Sequence, residues 1–287
     1  MGLSSERIDT YKKDRLADGD KPASINRCLQ MLRQSFKLAE RQNQIARAPF
    51  IELLSEKGNA RQGFFSETEF RAVLAHLPAD LQDFARYCYG TGSRKGEAAS
   101  ITWAMVQGDE LRIPGDICKN RRPRTLPISG EVAEIIERRR SARRIEENGT
   151  VHLSEYVFHR EGDGAPIREF RKSWARAAVA AKLCVMVCET CKGEGTGLTC
   201  PTCKTSTKYR GRTWHDFRRS AVRNMVKAGV STQVAKVWSG HSSDSIFERY
   251  SILTTDDLQI AQRQTEQYRE GARKEAEQKA QKVVGMR

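Results

Sequence analysis

The segment from His215 to Tyr250, HDFRRSAVRNMVKAGVSTQVAKVWSGHSSDSIFERY, constrains this chain more than any other, because its apolar spacing and its breakers leave little choice of local fold. Phe217, Ala221, Val222, Met225 and Val226 recur at helical spacing as one buried stripe, and Gly229 follows as the residue that ends the helix. Val230 to Trp238 reads as a second short helix capped by Ser231. Gly240-His241 then turns the chain, and Ser243 can cap a third helix carrying Ile246, Phe247 and Tyr250. His215 and Arg218, three residues apart, share a face of the first helix. The polar residues on this frame suit attack on a phosphodiester without a metal. A phenol can act as nucleophile, imidazoles can hold or move a proton, and a guanidinium can fork onto anionic oxygens.

Composition narrows the partners. The chain has 287 residues, enough for one large domain and a smaller one. Fifty Lys and Arg against thirty-six Asp and Glu leave a formal charge of +14 and a pI of about 9.6, which favours a polyanion. A mean hydropathy of -0.64, with no apolar run of about 18 residues, argues against a membrane-spanning helix. The start, Met-Gly-Leu-Ser-Ser-Glu-Arg, lacks the apolar core of a signal peptide, so a cytoplasmic protein is expected. Cys28, Cys88, Cys118 and Cys184 are scattered, whereas the other four cysteines form two CxxC pairs, a metal-binding spacing in a reducing compartment.

Residues 1–60 read as helices. Ile8, Tyr11 and Leu16 mark one that Gly19 ends, and Ser24 stands as the N-cap of a run from Ile25 to Gln42. Residues 50–63 are polar and mixed, as in a linker. Ser66 with Glu69 forms a capping box ahead of Phe70, Val73, Leu74 and Leu77. A helix from Asp80 to Tyr89 ends at Gly90-Thr91-Gly92, and another restarts near Ser93. Glu110 to Ile113 and Arg124 to Ile128 read as strands around a basic turn, Glu131 to Ile145 as a charged helix, Tyr156 to Phe158 as a short strand, and Phe170 to Ala181 as a helix. The expected fold class is mainly α with a small antiparallel β-sheet, an α+β protein. Its boundaries would be a helical domain at 1–60, a larger domain at 64–255 with an insertion at 184–210, and a polar helical tail at 256–287.

The ordered set HDFR, GH and ERY resembles the C-terminal signature of the tyrosine recombinases, the phage-integrase family. Upstream, TGSRKGEAASITW resembles that family's first box, and CKNRRPRTLPIS its β-hairpin. NRCLQMLRQSFKLAERQNQI resembles part of its helical core-binding domain. The resemblance implies a catalytic set of Arg94, Lys119, His215, Arg218, His241 and Tyr250, supported by Glu97. Arg94 and Arg218 would hold the scissile phosphate, Lys119 would protonate the 5′-oxygen, and His215 would serve as base for Tyr250. His241 would hydrogen-bond the phosphate, and Glu97 would orient the arginine or His215.

The implied reaction is site-specific strand exchange through a 3′-phosphotyrosine link, for integration or excision of a mobile element, with no catalytic cofactor. Its implied partners are double-stranded DNA, further copies of the chain as a tetramer on paired sites, and accessory DNA-bending or directionality factors, with no membrane. Residues 1–60 are short for the four or five helices that such a core-binding domain implies, so a further N-terminal segment is expected. A type IB topoisomerase shares this chemistry, and a silent DNA-binding protein shares the charge. More ordinary readings also stand: Glu97 as a helix-surface charge, His241 as a cap, His152 and His159 as structural, and Arg219, Arg223 and Arg249 as phosphate-positioning or surface groups.

The insertion departs from the family pattern. Cys188-x-x-Cys191 is followed after eight residues by Cys200-x-x-Cys203, with Gly193, Gly195 and Gly197 in the loop, and CETCKGEG resembles the knuckle of DnaJ-type zinc modules. Four sulfurs at this spacing suit a closed tetrahedral zinc site, structural rather than catalytic, with a disulfide or free thiols as the alternative reading. Lys192, Lys204, Lys208, Tyr209 and Arg210 could touch DNA or form a solvated face.

Overall fold

The computed structural model describes residues 4–56, 63–147, 149–241 and 255–284, and it divides into two compact units, Met1–Gln62 and Gly63–Arg287. In the first unit, α1 (Ser5–Ala17) is capped by the Ser4 hydroxyl, which accepts from the Arg7 N–H at 3.3 Å. Helix α2 (Pro22–Arg41) begins three residues before the run expected from Ser24. Pro22 takes the first turn, where its missing N–H costs nothing, and Lys21 is the extended residue ahead of it. Ile8, Ile25, Leu29 and Ile51 form this unit's core. Buried Asn26 staples the following segment by donating to the Leu54 carbonyl (2.9 Å) and accepting from the Leu54 N–H (2.7 Å).

The second unit opens on α3 (Glu67–Leu74), with the reciprocal Ser66–Glu69 capping box in place. Helix α4 (Ala79–Thr91) ends where Gly92 adopts a left-handed φ of 68°, and Arg94 is the N-cap residue of α5 (Lys95–Ala99). Strands β1 (Val106–Gln107), β2 (Glu110–Ile113) and β3 (Arg124–Pro127) form an antiparallel sheet in that order, with Ile113 opposite Arg124 and Leu111 opposite Leu126. The charged helix expected to reach Ile145 stops sooner, as α6 (Gly130–Ser141). The chain then makes a hairpin of β4 (Arg144–Glu147) and β5 (Thr150–Leu153), which buries Ile145 and uses Gly149 at φ 77° in its turn. Tyr156 to Phe158 forms a single bridge, Thr102 to Tyr156, rather than a strand.

Helix α7 (Arg171–Ala180) leads into the cysteine-rich insertion, which carries a sheet that the sequence reading did not anticipate. Its strands β6 (Cys184–Cys188), β7 (Glu194–Gly195) and β8 (Thr207–Gly211) lie in the order β7-β6-β8. Helices α8 (His215–Lys227) and α9 (Thr232–Ser239) follow, and α10 (Thr255–Val284) is a long polar helix. Among the described residues, no helix is long and apolar enough to cross a membrane.

An aromatic cluster at the centre of this unit sets the position of α8. Trp214 lies 4.5 Å from Phe170 and stacks on Phe84 at 5.1 Å, while Phe217 packs against Phe65 (4.9 Å) and Trp174 (5.3 Å). Each fully buried ring stabilises by about 1.5–3 kcal/mol, and well-placed aromatic pairs add about 0.5–1.5 kcal/mol. The residues on either side of His215 are thereby locked into the core, and His215 itself is left exposed at the rim.

Candidate active site

Helix α8 enters from β8 through a closed turn. The Asp216 carboxylate, fully buried, accepts from the Thr213 N–H (2.7 Å) and the Thr213 hydroxyl (3.1 Å), and it lies 4.0 Å from Arg219. Two residues on, Arg218 is 2% exposed. Its Nη1 donates to the Gly92 carbonyl (2.6 Å) and to the Ser239 carbonyl, and its Nε donates to His241 Nε2 (3.2 Å). Three segments therefore meet on one guanidinium: the end of α4, the first turn of α8 and the end of α9.

His241 is also buried, and its neighbours assign its tautomer. Since Nε2 accepts from Arg218, Nδ1 carries the proton and donates to Ser239 Oγ (2.7 Å), which in turn donates to the Ala235 carbonyl (2.6 Å). Burial, then the charges of Arg218, Arg94, His215 and Arg124, push the His241 pKa down to about 3. His215 is shifted the same way, by desolvation and then by Arg218, with Arg94 among the lesser causes. Arg94 donates from Nη1 to the Gly240 carbonyl at 3.2 Å. The structure thus gathers Arg94, Arg218, His215 and His241 into one positive locus.

The depressed His241 pKa carries a sign for stability. An unfolded histidine protonates near pH 6.5, whereas the folded ring stays neutral to about pH 3, so the unfolded state binds the extra proton between these values. Stability is fully present above about pH 6.5 and declines as the pH falls through this window. The melting temperature is expected to fall less steeply from pH 6.5 to 4 in His241→Gln than in the parent chain. Parallel slopes would show that His241 does not titrate as described.

Two expected positions behave differently. Lys119 sits exposed on the β2–β3 connection and, among the described residues, makes no hydrogen bond or ion pair. Its neighbour Cys118 is 3% exposed, with burial, then Glu97, raising its thiol pKa and Arg124 and Arg94 among the opposing charges. The root of the Lys119 turn is therefore buried beside the cluster, whereas Lys119 itself is exposed. Tyr250 lies outside the described residues, as does Arg249.

Glu97 corrects the reading that set it against Arg94 or His215. At 3% exposure on α5, it pairs with Arg124, the first residue of β3, which also donates to Ser93 Oγ at 3.1 Å. The physical reason is burial, since a carboxylate withdrawn from water needs a full counter-charge and Arg124 is buried beside it. Sequence reasoning missed Arg124, Ser93 and Ser239. Arg124 had a legible signal, a charge at the same parity as buried Leu126 on a strand that alternates inward and outward. Of the other basic residues weighed, Arg223 stacks 3.6 Å over the Phe64 ring, and buried His159 is held through Nδ1 by the Arg160 carbonyl (3.1 Å).

The four cysteines of the insertion form a second site. Their sulfurs all lie within 4.8 Å of one another, and Cys191 Sγ is 3.7 Å from Cys200 Sγ. A tetrahedron with Zn–S of about 2.3 Å places its sulfurs about 3.8 Å apart, so the set fits such an ion. The two halves have the same backbone. Lys192 N–H donates to the Cys188 carbonyl (3.0 Å) and Lys204 N–H to the Cys200 carbonyl (3.0 Å), with Lys192 and Lys204 both left-handed at φ 60° and 56°. The Cys203 N–H points at Cys200 Sγ (3.5 Å), and the Thr205 hydroxyl lies 3.5 Å from Cys188 Sγ. That hydroxyl, followed by backbone N–H groups, lowers the Cys188 thiol to about 5, as suits a thiolate ligand. Lys208 and Arg210 form exposed ion pairs with Glu189 and Glu194, and the Tyr209 hydroxyl donates to the Arg212 carbonyl.

The model of the phage integrase family matches residues 66–256, so the chain belongs to the phage integrase family. The integrase of Escherichia phage P2 is 31% identical over 137 residues, covering 47% of this chain and 40% of that one. Among solved structures, a lambda integrase tetramer bound to a Holliday junction superposes with a TM-score of 0.59 at 16% identity, over 86% of this chain and 64% of that chain. The Tn1549 transposon integrase in complex with a circular intermediate DNA superposes with a TM-score of 0.66 at 14% identity, over 92% and 86%. At these identities, the superpositions show the fold. It is mixed α and β with small antiparallel sheets, as in the integrase catalytic domain.

Proposed function

We propose that this chain is a site-specific DNA recombinase, an integrase that cuts and rejoins DNA strands through a 3′-phosphotyrosine intermediate to integrate or excise a mobile element. The observation that carries the reading is the gathering of buried Arg218 and His241, half-buried Arg94 and exposed His215 at one positive locus, inside a family match that extends past Tyr250. The guanidinium groups of Arg94 and Arg218 would take the non-bridging oxygens of the scissile phosphate and stabilise the added charge of the pentacoordinate transition state. His215, held neutral at the rim, would accept the phenolic proton as Tyr250 attacks phosphorus, and Lys119 would protonate the departing 5′-oxygen. The phosphotyrosine bond retains the energy of the broken phosphodiester, so a second strand's 5′-hydroxyl can reverse the step.

In this scheme His241 orients Arg218 before DNA arrives. The incoming phosphate would offset the surrounding positive charge and raise the His241 pKa, allowing Nε2 to become a donor. Residues 1–60 would bind the duplex as part of a core-binding domain, and four copies would assemble on paired sites. Cys188, Cys191, Cys200 and Cys203 would hold a structural zinc ion that cross-links the insertion and takes no part in the chemistry. The test is a nicked duplex that loses the fragment bearing the 5′-hydroxyl after cleavage. Accumulation of a covalent protein–DNA adduct on it supports the reading. DNA binding without any adduct would reduce the chain to a binding protein, and relaxation of supercoils without site preference would make it a topoisomerase.

A further inference from the structure

We infer that Arg124 is a positioning residue of this site, docking the hairpin that carries Lys119 onto the turn that holds the phosphate-binding groups. The inference rests on the recombinase reading above. Arg124 begins β3, immediately after the connection on which Lys119 stands, and it is buried. Its guanidinium has three neighbours from three other segments. Nη2 donates to Glu97 Oε1 on α5 and to Ser93 Oγ (3.1 Å), between α4 and α5, and Ser93 is itself 2.9 Å from Thr91 Oγ1. On its other side, Arg124 closes against Gly240, which is left-handed at φ 66°, where any added Cβ would run into Nη1.

That third contact matters most, because the Gly240 carbonyl accepts from Arg94 and the next residue, His241, holds Arg218. One side chain therefore spans the strand after the general acid and the turn that aligns the anion-binding groups. The hairpin needs such a tie. Its connection is closed by its own turns, Cys118 N–H to Gly115 O (3.2 Å) and Arg121 N–H to Cys118 O (2.9 Å), and Lys119 has no partner of its own among the described residues. Arg124 does not touch the phosphate in this scheme. It acts by keeping Lys119 in register with the leaving oxygen, where a misplacement of about 1 Å costs about 100-fold in rate.

The test compares two scissile linkages in single-turnover cleavage. With an ordinary 5′-oxygen, the leaving group needs a proton. With a 5′-bridging sulfur it departs as a stable thiolate, so the proton donor's placement ceases to matter. Arg124→Met is expected to lose about 100-fold on the oxygen substrate, to come within about fivefold of the parent on the sulfur substrate, and to bind DNA within about threefold of the parent. Since Arg124→Met strands a buried carboxylate, the paired variant Arg124→Met with Glu97→Leu removes both charges and is expected to show the same sulfur rescue. An equal loss on both substrates in the folded paired variant would overturn the inference, as would an unchanged oxygen rate. If the parent chain forms no adduct on either substrate, the recombinase reading fails instead, which keeps the two failures apart.

Discussion

Tyr250→Phe is expected to abolish the covalent adduct while leaving duplex binding within about twofold of the parent chain. The phenolic oxygen would be the atom that forms the new bond to phosphorus, and phenylalanine keeps the ring but offers no nucleophile. The loss should exceed that from removing one transition-state hydrogen-bond donor, which costs about 10²–10³-fold, because phenylalanine has no oxygen with which to form the bond to phosphorus. Peptide mapping of the parent adduct should find the DNA on Tyr250. Mapping to Tyr209 or Tyr268 would refute the assignment, and persistence of the adduct in Tyr250→Phe would do the same.

Zinc removal is expected to have the second-largest effect. Reduced protein purified without chelator should contain about one zinc per chain, and stripping it should unfold the β6-β7-β8 module. Structural zinc in small modules contributes on the order of 10 kcal/mol, comparable to the whole stability of a domain at about 5–15 kcal/mol. If even about 4 kcal/mol of that reaches the catalytic unit, its melting temperature should fall by about 10 °C. The path is short. Strand β8 leads through Arg212, Thr213 and Trp214 to His215; Trp174 Nε1 donates to the Arg212 carbonyl (3.3 Å), and the Arg212 side chain pairs with Glu69. Cleavage should fall with the metal and return when zinc is restored. Cys200→Ser should reproduce the loss, and metal analysis that finds no zinc in the parent would refute the site.

Much of the catalytic unit was legible because its elements are set by local chemistry. The Ser66–Glu69 box, the left-handed Gly92 and Gly240, and the stripe from Phe217 to Val226 each follow from interactions within a few residues. The errors fell where burial decided the outcome. Ile145 sits in a charged run that continues a helical pattern, yet strand pairing buries it. The insertion's strands were hidden although Val185, Val187, Thr207 and Tyr209 favour extended backbone, because β6 and β8 are only five residues each and pair across the whole cysteine loop, Cys188 with Thr207 and Cys184 with Gly211. Glu97 read as a helper of Arg94 because the two share one motif, but proximity along the chain does not say which guanidinium shares its dielectric.

By itself, the sequence determined the order and types of the groups able to do the chemistry, the helices that display several of them, and the two CxxC pairs. These depend on side-chain identity and on spacing along one segment, which folding does not alter. Only the tertiary structure decided that Arg218 bridges Gly92, Ser239 and His241, that His241 is neutral with its proton on Nδ1, and that Glu97 belongs to Arg124. Each of these depends on which charges are removed from water together, and that is settled by packing between segments more than a hundred residues apart, as with Arg218 and Gly92, as well as by contacts nearer in sequence.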